Sequence, residues 1–272
     1  MSAAEQRALR KAIQEHAFER AYYFHGDDDF LKEAAVRDLI ASAVDPSTRD
    51  FNLEVRRGSE LDGETLGSLL GTPPMMAARR VVVVRDALTL KKDARGALDR
   101  YLKKSAADTV VVLVTPAGVK ADKLLLASTF PVVFDPLSGD RVPKWIAHHV
   151  TTELHTTITS GAVDLLISAV GSDLPQLAAE LDKLASYAFG TEITEGAVSE
   201  VVGVRRGETL GDLLDAVAQR NAGRALDLVG LVLAQPKTTL VSVIMALSTQ
   251  TLAIAWGRAA RDRGLPQSAL ER

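Results

Sequence analysis

Apolar residues along this chain follow two different spacings. Up to about residue 139 they come in short blocks: Ala21-Tyr22-Tyr23-Phe24-His25, Phe51-Asn52-Leu53-Glu54-Val55, Arg80-Val81-Val82-Val83-Val84-Arg85, Thr109-Val110-Val111-Val112-Leu113-Val114 and Pro131-Val132-Val133-Phe134. The second block has period-two character. The third and fourth are β-branched runs without alternation, the pattern of strands covered on both faces of a parallel sheet. Residues 29–43, 60–70, 93–104 and 120–128 lie between the blocks and read as helices. Strand and helix in alternation predict a doubly wound parallel sheet, an α/β domain over residues 1–139.

After Asp135-Pro136-Leu137-Ser138-Gly139 the strand signal stops, and residues 141–203 read as helical throughout. Ser172 or Asp173 can cap a helix with Pro175 in its first turn, and Leu174, Leu177, Leu181 and Leu184 recur at spacings of three and four. The segment Thr191-Glu192-Ile193-Thr194-Glu195 leads into a short helix that ends near Val202-Gly203. The polar, glycine-flanked stretch Gly203-Val204-Arg205-Arg206-Gly207 marks a second boundary, with Arg205 and Arg206 as linker charges. Helices follow over 210–220, 223–234 and 238–263, and Pro266 opens one more that stops a turn later. The expected architecture is α/β plus all-α: a domain over 1–139, a small helical domain over 140–205, and an incomplete helical domain over 206–272.

Composition narrows the function classes. With 272 residues, 47% of them apolar, the chain can form more than one hydrophobic core. The net charge of -3 gives no global pull toward nucleic acid, and 5% aromatic content argues against a base-stacking platform. Zero cysteines exclude disulfides, thiolate metal sites and thiol nucleophiles. No uninterrupted apolar run reaches the about eighteen residues of a membrane span. Met1-Ser2-Ala3-Ala4-Glu5-Gln6-Arg7 has no apolar stretch after its charges, so it does not read as a signal peptide. A cytoplasmic protein without a membrane partner is expected.

The block at Tyr22 runs into Gly26-Asp27-Asp28-Asp29-Phe30-Leu31-Lys32-Glu33 and then a helix, where a nucleotide-binding domain carries its phosphate loop. Against the pattern Gly-x-x-x-x-Gly-Lys-Ser/Thr, Gly26 and Lys32 keep the frame. Leu31 replaces the second glycine and Glu33 the magnesium-binding hydroxyl. Asp27, Asp28 and Asp29 would repel a triphosphate. Three consecutive acids at a strand end cannot converge on one metal ion, so capping of a helix starting at Phe30 is the expectation. Lys32 reads as a solvated helix lysine. After the third strand, Arg85-Asp86 stands where an active site of this kind wants Asp-Glu, a second departure from an ATP site. No cofactor and no independent active site are expected.

One parallel α/β domain followed by two helical ones is the layout of AAA+ clamp-loader subunits, and the specific resemblance is to the delta-subunit family of bacterial DNA polymerase III. It rests on Phe24-His25-Gly26-Asp27-Asp28-Asp29-Phe30-Leu31, on Phe51-Asn52, and on Thr72-Pro73-Pro74-Met75-Met76-Ala77-Ala78-Arg79-Arg80 leading into a strand. Asp173-Leu174-Pro175-Gln176-Leu177 through Leu184, with the Ile193-Thr194 step, adds to it. The resemblance implies a subunit without ATPase activity that binds and opens the ring-shaped sliding clamp (beta). Its other partners would be the gamma/tau and delta-prime subunits of a hetero-pentamer, with primed DNA reached only through the assembly. By the same resemblance, Met75 and Met76, on a turn stiffened by Pro73 and Pro74, are the clamp-binding residues, where the family commonly has Leu or Phe. Burying both would contribute roughly 3–6 kcal/mol before ordering costs.

The residues alone also allow Met75 and Met76 to pack under the next strand of their own domain. Two rivals follow from the same features: a delta-prime-like scaffolding subunit that contacts only loader subunits, and an NTPase with an unorthodox loop. His148, His149 and His155 read as surface histidines beside Trp145, because adjacent histidines diverge on a helix. Arg79 and Arg80 read as a solvated basic edge before the third strand.

Overall fold

The computed structural model describes residues 2–203, 209–235 and 238–263. They form two compact units, Met1–Pro136 and Leu137–Arg272. The first contains α1 (Ser2–Glu15), β1 (Ala21–His25), α2 (Asp29–Ala43), the single-turn α3 (Arg49–Asn52), β2 (Leu53–Arg57), α4 (Gly63–Gly71), β3 (Arg80–Arg85), α5 (Lys92–Leu102), β4 (Thr109–Val114), α6 (Lys123–Ser128) and β5 (Phe130–Val133). All five strands pair in parallel, in the order β2-β3-β4-β1-β5.

The β-branched runs do what their lack of alternation predicts. Tyr22, Phe24, Val81, Val83, Val110 and Val112 face one core with Leu9 of α1 and Val36 and Leu39 of α2. Their neighbours Tyr23, Val82, Val84, Val111 and Leu113 face the other, with Leu66 and Leu70 of α4, Leu98 of α5 and Leu125 of α6. Both faces of the sheet are covered, so every position in the run is apolar. Helix α1 was not legible in the sequence, since it is largely polar and, among its described residues, buries Leu9 with Ile13 half-covered. It is tied to the sheet edge by Gln6, whose Nε2 donates to the Val133 carbonyl at 2.7 Å.

The expected strand over Phe51–Val55 begins two residues later. Phe51 and Asn52 end α3, and Leu53 opens β2. The shift follows from Asn52, whose side chain is committed to hydrogen bonds off the sheet.

Asp122 caps α6 by accepting from the Leu124 and Leu125 amides at 2.8 and 3.0 Å. It also takes two hydrogen bonds from the Arg95 guanidinium, at 3.0 and 3.1 Å. Arg95, aided by the amides, holds this carboxyl below the usual range. A folded-state value below the unfolded one stabilises at neutral pH, and that stability is lost as pH falls through the folded value. Asp122→Asn should therefore be less stable than wild type at pH 7, and the gap should close as pH drops below about 4, as read by urea unfolding across that range.

The second unit is helical: α7 (Arg141–Thr152), α8 (Ser160–Val170), α9 (Leu174–Ala188), α10 (Glu195–Val201), α11 (Leu210–Ala218), α12 (Ala222–Leu233) and α13 (Leu240–Asp262). Asp173 caps α9 through the Gln176 amide at 2.9 Å, and Leu174, Leu177, Leu181 and Leu184 are buried as their spacing predicts. The expected unbroken helical stretch is interrupted by a short parallel bridge between Ile158 and Ile193, where the Thr159 amide donates to Ile193 and the Ile193 amide to Thr157. Leu213, Ala216, Leu228, Val232 and Val243 form a separate small core among α11, α12 and α13.

Only Val243 and Ala260 are buried along α13, while Leu240, Val241, Met245, Leu252 and Trp256 are all exposed. By length and composition α13 could cross a membrane. Ser242, Ser248, Thr249, Gln250 and Thr251 interrupt its apolar residues, which is why no uninterrupted run stands out in the sequence. Arg205, Arg206 and the helix expected from Pro266 lie outside the described residues.

Candidate functional site

The loop after β1 turns at Gly26, whose φ is +106°. A Cβ at this position would lie 2.4 Å from the carbonyl oxygen of Phe134, so both the conformation and the close approach require glycine. The Phe134 amide donates to His25 and the Asp28 amide donates back to Phe134, at 2.8 and 2.9 Å. The loop is thereby stitched to the chain leaving β5. Gly26→Ala should destabilise the protein by about 2–4 kcal/mol, seen as a lower urea midpoint at unchanged slope.

The three aspartates have separate tasks, and only one caps the helix with its side chain. Asp28 Oδ1 accepts from the Leu31 amide at 2.9 Å. Burial pushes the Asp28 carboxyl up, against the pull of the Leu31 and Phe30 amides. Asp27 accepts from the Gly118 amide at 2.9 Å, and Asp29, the first residue of α2, from the Ala117 amide at 3.0 Å. These two bonds hold the segment after β4 against the segment after β1.

Lys32 departs from its expected solvation. It is fully buried. Its ammonium donates to the carbonyl oxygens of Gly26 and Thr115, both at 2.6 Å, and pairs with Asp29 at 2.7 Å. Those three oxygens use all three of its N–H donors. Helix periodicity could not reveal this, because Thr115 is 83 residues away in sequence.

Glu33, in the place of the magnesium-binding hydroxyl, forms an ion pair with Arg85, which stands where an acid would position magnesium and water. Thus the two departures from an ATP site are bonded to each other. Around this loop, the chain's own oxygens and carboxylates take up the donors of Lys32 and pair with Arg85.

A second feature sits at the end of α4, in the loop 72–79. Thr72 closes the helix, its amide and hydroxyl both donating to Ser68. Pro73 and Pro74 fix the next turns of the backbone. Met75 is 49% exposed and Met76 93%, so Met76 has no place in the core. Met76 has a φ of +54°, an uncommon conformation for a side-chain-bearing residue, with a strain of order 1 kcal/mol.

The loop is held from beneath by Asn52, which sequence reasoning noted only as part of the Phe51-Asn52 pair. Asn52 is fully buried. Its Nδ2 donates to the Thr48 carbonyl at 3.1 Å and to the Met75 carbonyl at 2.8 Å, and its Oδ1 accepts from the Met75 amide at 2.8 Å. The only signal in the sequence was a polar amide in an otherwise strand-like stretch.

The basic pair beyond the loop serves its own unit instead of forming a solvated edge. Arg80 is buried and donates to the Phe51 carbonyl at 2.7 Å, with Glu54 3.6 Å away. Arg79 places its guanidinium 5.2 Å from the centre of the Phe18 ring. In the second unit, His149 stacks on Trp145 with ring centres 4.9 Å apart, while His148 and His155 are exposed. No group of three or more metal-ligating side chains occurs among the described residues.

The sheet order and the loop-to-helix step after β1 define a parallel α/β unit whose loop at Gly26 is closed on itself. Residues 22–130 match the family described as DNA polymerase III, delta subunit. The chain is 24% identical over 235 residues to DNA polymerase III subunit delta of Bacillus subtilis (strain 168), spanning 80% of this chain and 67% of that protein. Its fold is similar to that of the solved Bacillus subtilis DNA clamp loader delta protein, with a TM-score of 0.59 and 23% identity, covering 97% of this chain and 81% of that one. The resemblance read from the sequence is borne out to this extent: residues 22–130 match the delta-subunit family, and the fold is similar to that of a delta protein.

Proposed function

We propose that this protein is a clamp-loader subunit of the bacterial DNA polymerase III holoenzyme that binds and opens the sliding clamp without hydrolysing ATP itself. The observation that carries the reading is Met76, an apolar side chain left 93% exposed on a strained, proline-stiffened turn. Pro74, Met75 and Met76 enter an apolar groove on the clamp. A turn already fixed in shape binds with little loss of freedom. Binding energy spent on an open ring opens it only if the open form is bound more tightly than the closed one.

The saturated Lys32 ammonium and the Glu33–Arg85 pair support a subunit that takes no nucleotide cofactor. ATP is then hydrolysed by the gamma/tau neighbours, and delta-prime completes the hetero-pentamer. Primed DNA is met only through that assembly. Residues 140–205 act as the small helical domain and 206–272 as part of the collar. The exposed apolar face of α13 is covered there by neighbouring subunits, so the protein works in the cytoplasm, off the membrane.

The test is surface plasmon resonance against the sliding clamp encoded in the same genome, wild type beside Met75→Ser/Met76→Ser, with folding matched by circular dichroism. Binding by wild type and its loss in the folded variant are expected. A wild type that fails to bind at micromolar clamp sinks the reading and favours a scaffolding subunit.

A further inference from the structure

We infer that Asn52 is the positioning residue that presents the Met75-Met76 tip to its partner; this rests on the reading that the tip is a binding site. The Asn52 amide gives one hydrogen bond to the Met75 carbonyl and takes one from the Met75 amide, both at 2.8 Å. That exchange of two bonds with a single residue is what a neighbouring strand does in a ladder. It fixes Met75 in a loop that otherwise runs outside regular structure. The second Nδ2 hydrogen goes to Thr48 in the turn before α3, so the amide is itself held from two sides.

Asn52 also ends α3 directly before β2, and Arg80 reaches across from β3 to bond the Phe51 carbonyl beside it. The anchor under the tip is therefore rooted in two sheet strands. Downstream of the clamped residue, Met76 adopts its positive φ with its side chain in solvent. Nothing in the core requires that conformation, since Met76 is almost fully exposed. The structure commits a fully buried amide to fixing the half-exposed Met75, directly before the almost fully exposed Met76. A partner groove that accepts two apolar side chains in one relative orientation gives that commitment a purpose.

Neither neighbouring chemistry can replace the amide. Aspartate would set a carboxylate against the Met75 carbonyl, and leucine would fill the volume without any hydrogen bond. Asn52→Leu should weaken binding to the sliding clamp at least tenfold. The same change made in Met75→Ser/Met76→Ser should add no further loss, because Asn52 acts through the tip. A merely structural role would instead lower stability equally in both backgrounds and leave the affinity of the folded fraction unchanged.

A measurement on the wild type guards against a variant that fails to fold. Amide hydrogen exchange should find the Met75 N–H protected well beyond its loop neighbours. Tenfold weaker binding, loss of that effect in the serine background and a protected Met75 amide together support the inference. Wild-type binding that Asn52→Leu leaves within twofold overturns it while the clamp reading survives. A freely exchanging Met75 amide overturns it regardless of binding. If wild type does not bind the clamp, the underlying reading falls first and this one with it.

Discussion

Replacing Met75 and Met76 together by serine is expected to weaken clamp binding by at least about 100-fold, roughly 2.7 kcal/mol, with the urea midpoint unchanged. Complete burial of two methionines stabilises by roughly 3–6 kcal/mol. Met75 is already about half covered in the free chain, so part of its contribution is not gained on binding. Ordering two flexible side chains takes back about 0.5–1.5 kcal/mol each. What remains is near the expected loss, and the proline-stiffened backbone keeps the loop itself from adding to the ordering cost. Stability should change little, because solvent-exposed substitutions usually fall within about 0.5 kcal/mol of neutral. Had the two methionines packed under β3, the same variant would have lowered the midpoint and left affinity per folded molecule alone. Equilibrium unfolding and clamp binding on one preparation separate the two outcomes.

Lys32→Met should destabilise the protein by about 2–4 kcal/mol, and there should be no nucleotide affinity for it to remove. The methionine fills similar space but leaves the Thr115 carbonyl, and in part the Gly26 carbonyl, without a donor. Asp29 adds little to the loss, since its side chain is 60% exposed and water can replace the ammonium. In an NTPase the phosphate-loop lysine spends its donors on phosphate, so its removal abolishes nucleotide binding and the fold tolerates the change. Urea denaturation and titration calorimetry with ATP distinguish these directly. Millimolar ATP bound by the wild type and lost in a Lys32→Met protein of equal stability would sink the self-closed loop.

The contrast between Lys32 and the strand residues shows where sequence reading reaches and where it stops. Val81–Val84 and Val110–Leu113 are buried on both faces because local patterning alone says so, and the parallel sheet follows. Asp173, Pro175 and the leucines after them likewise define α9 within a single stretch of chain. Arg80 reads as a solvated cation by the same local rules, yet it is buried and donates to the Phe51 carbonyl. Helix α1 escaped notice because its residues are mostly polar, with Leu9 and Ile13 its large apolar side chains.

The sequence by itself determined the alternation of strand and helix, the frame of Gly26 and Lys32, the departures from the phosphate-loop pattern at Leu31 and Glu33, and the apolar pair at Met75 and Met76. Those properties belong to residue type and local spacing, which fix periodicity and chemical inventory. Only the tertiary structure decided what Lys32, Glu33, Arg85 and Asn52 do. Each has a partner far off in sequence, at Thr115, at each other and at Met75, brought near by how the parallel strands stand side by side. Burial then makes those pairings obligatory for Lys32 and Asn52, because a charge or an amide withdrawn from water must find its hydrogen bonds within the protein.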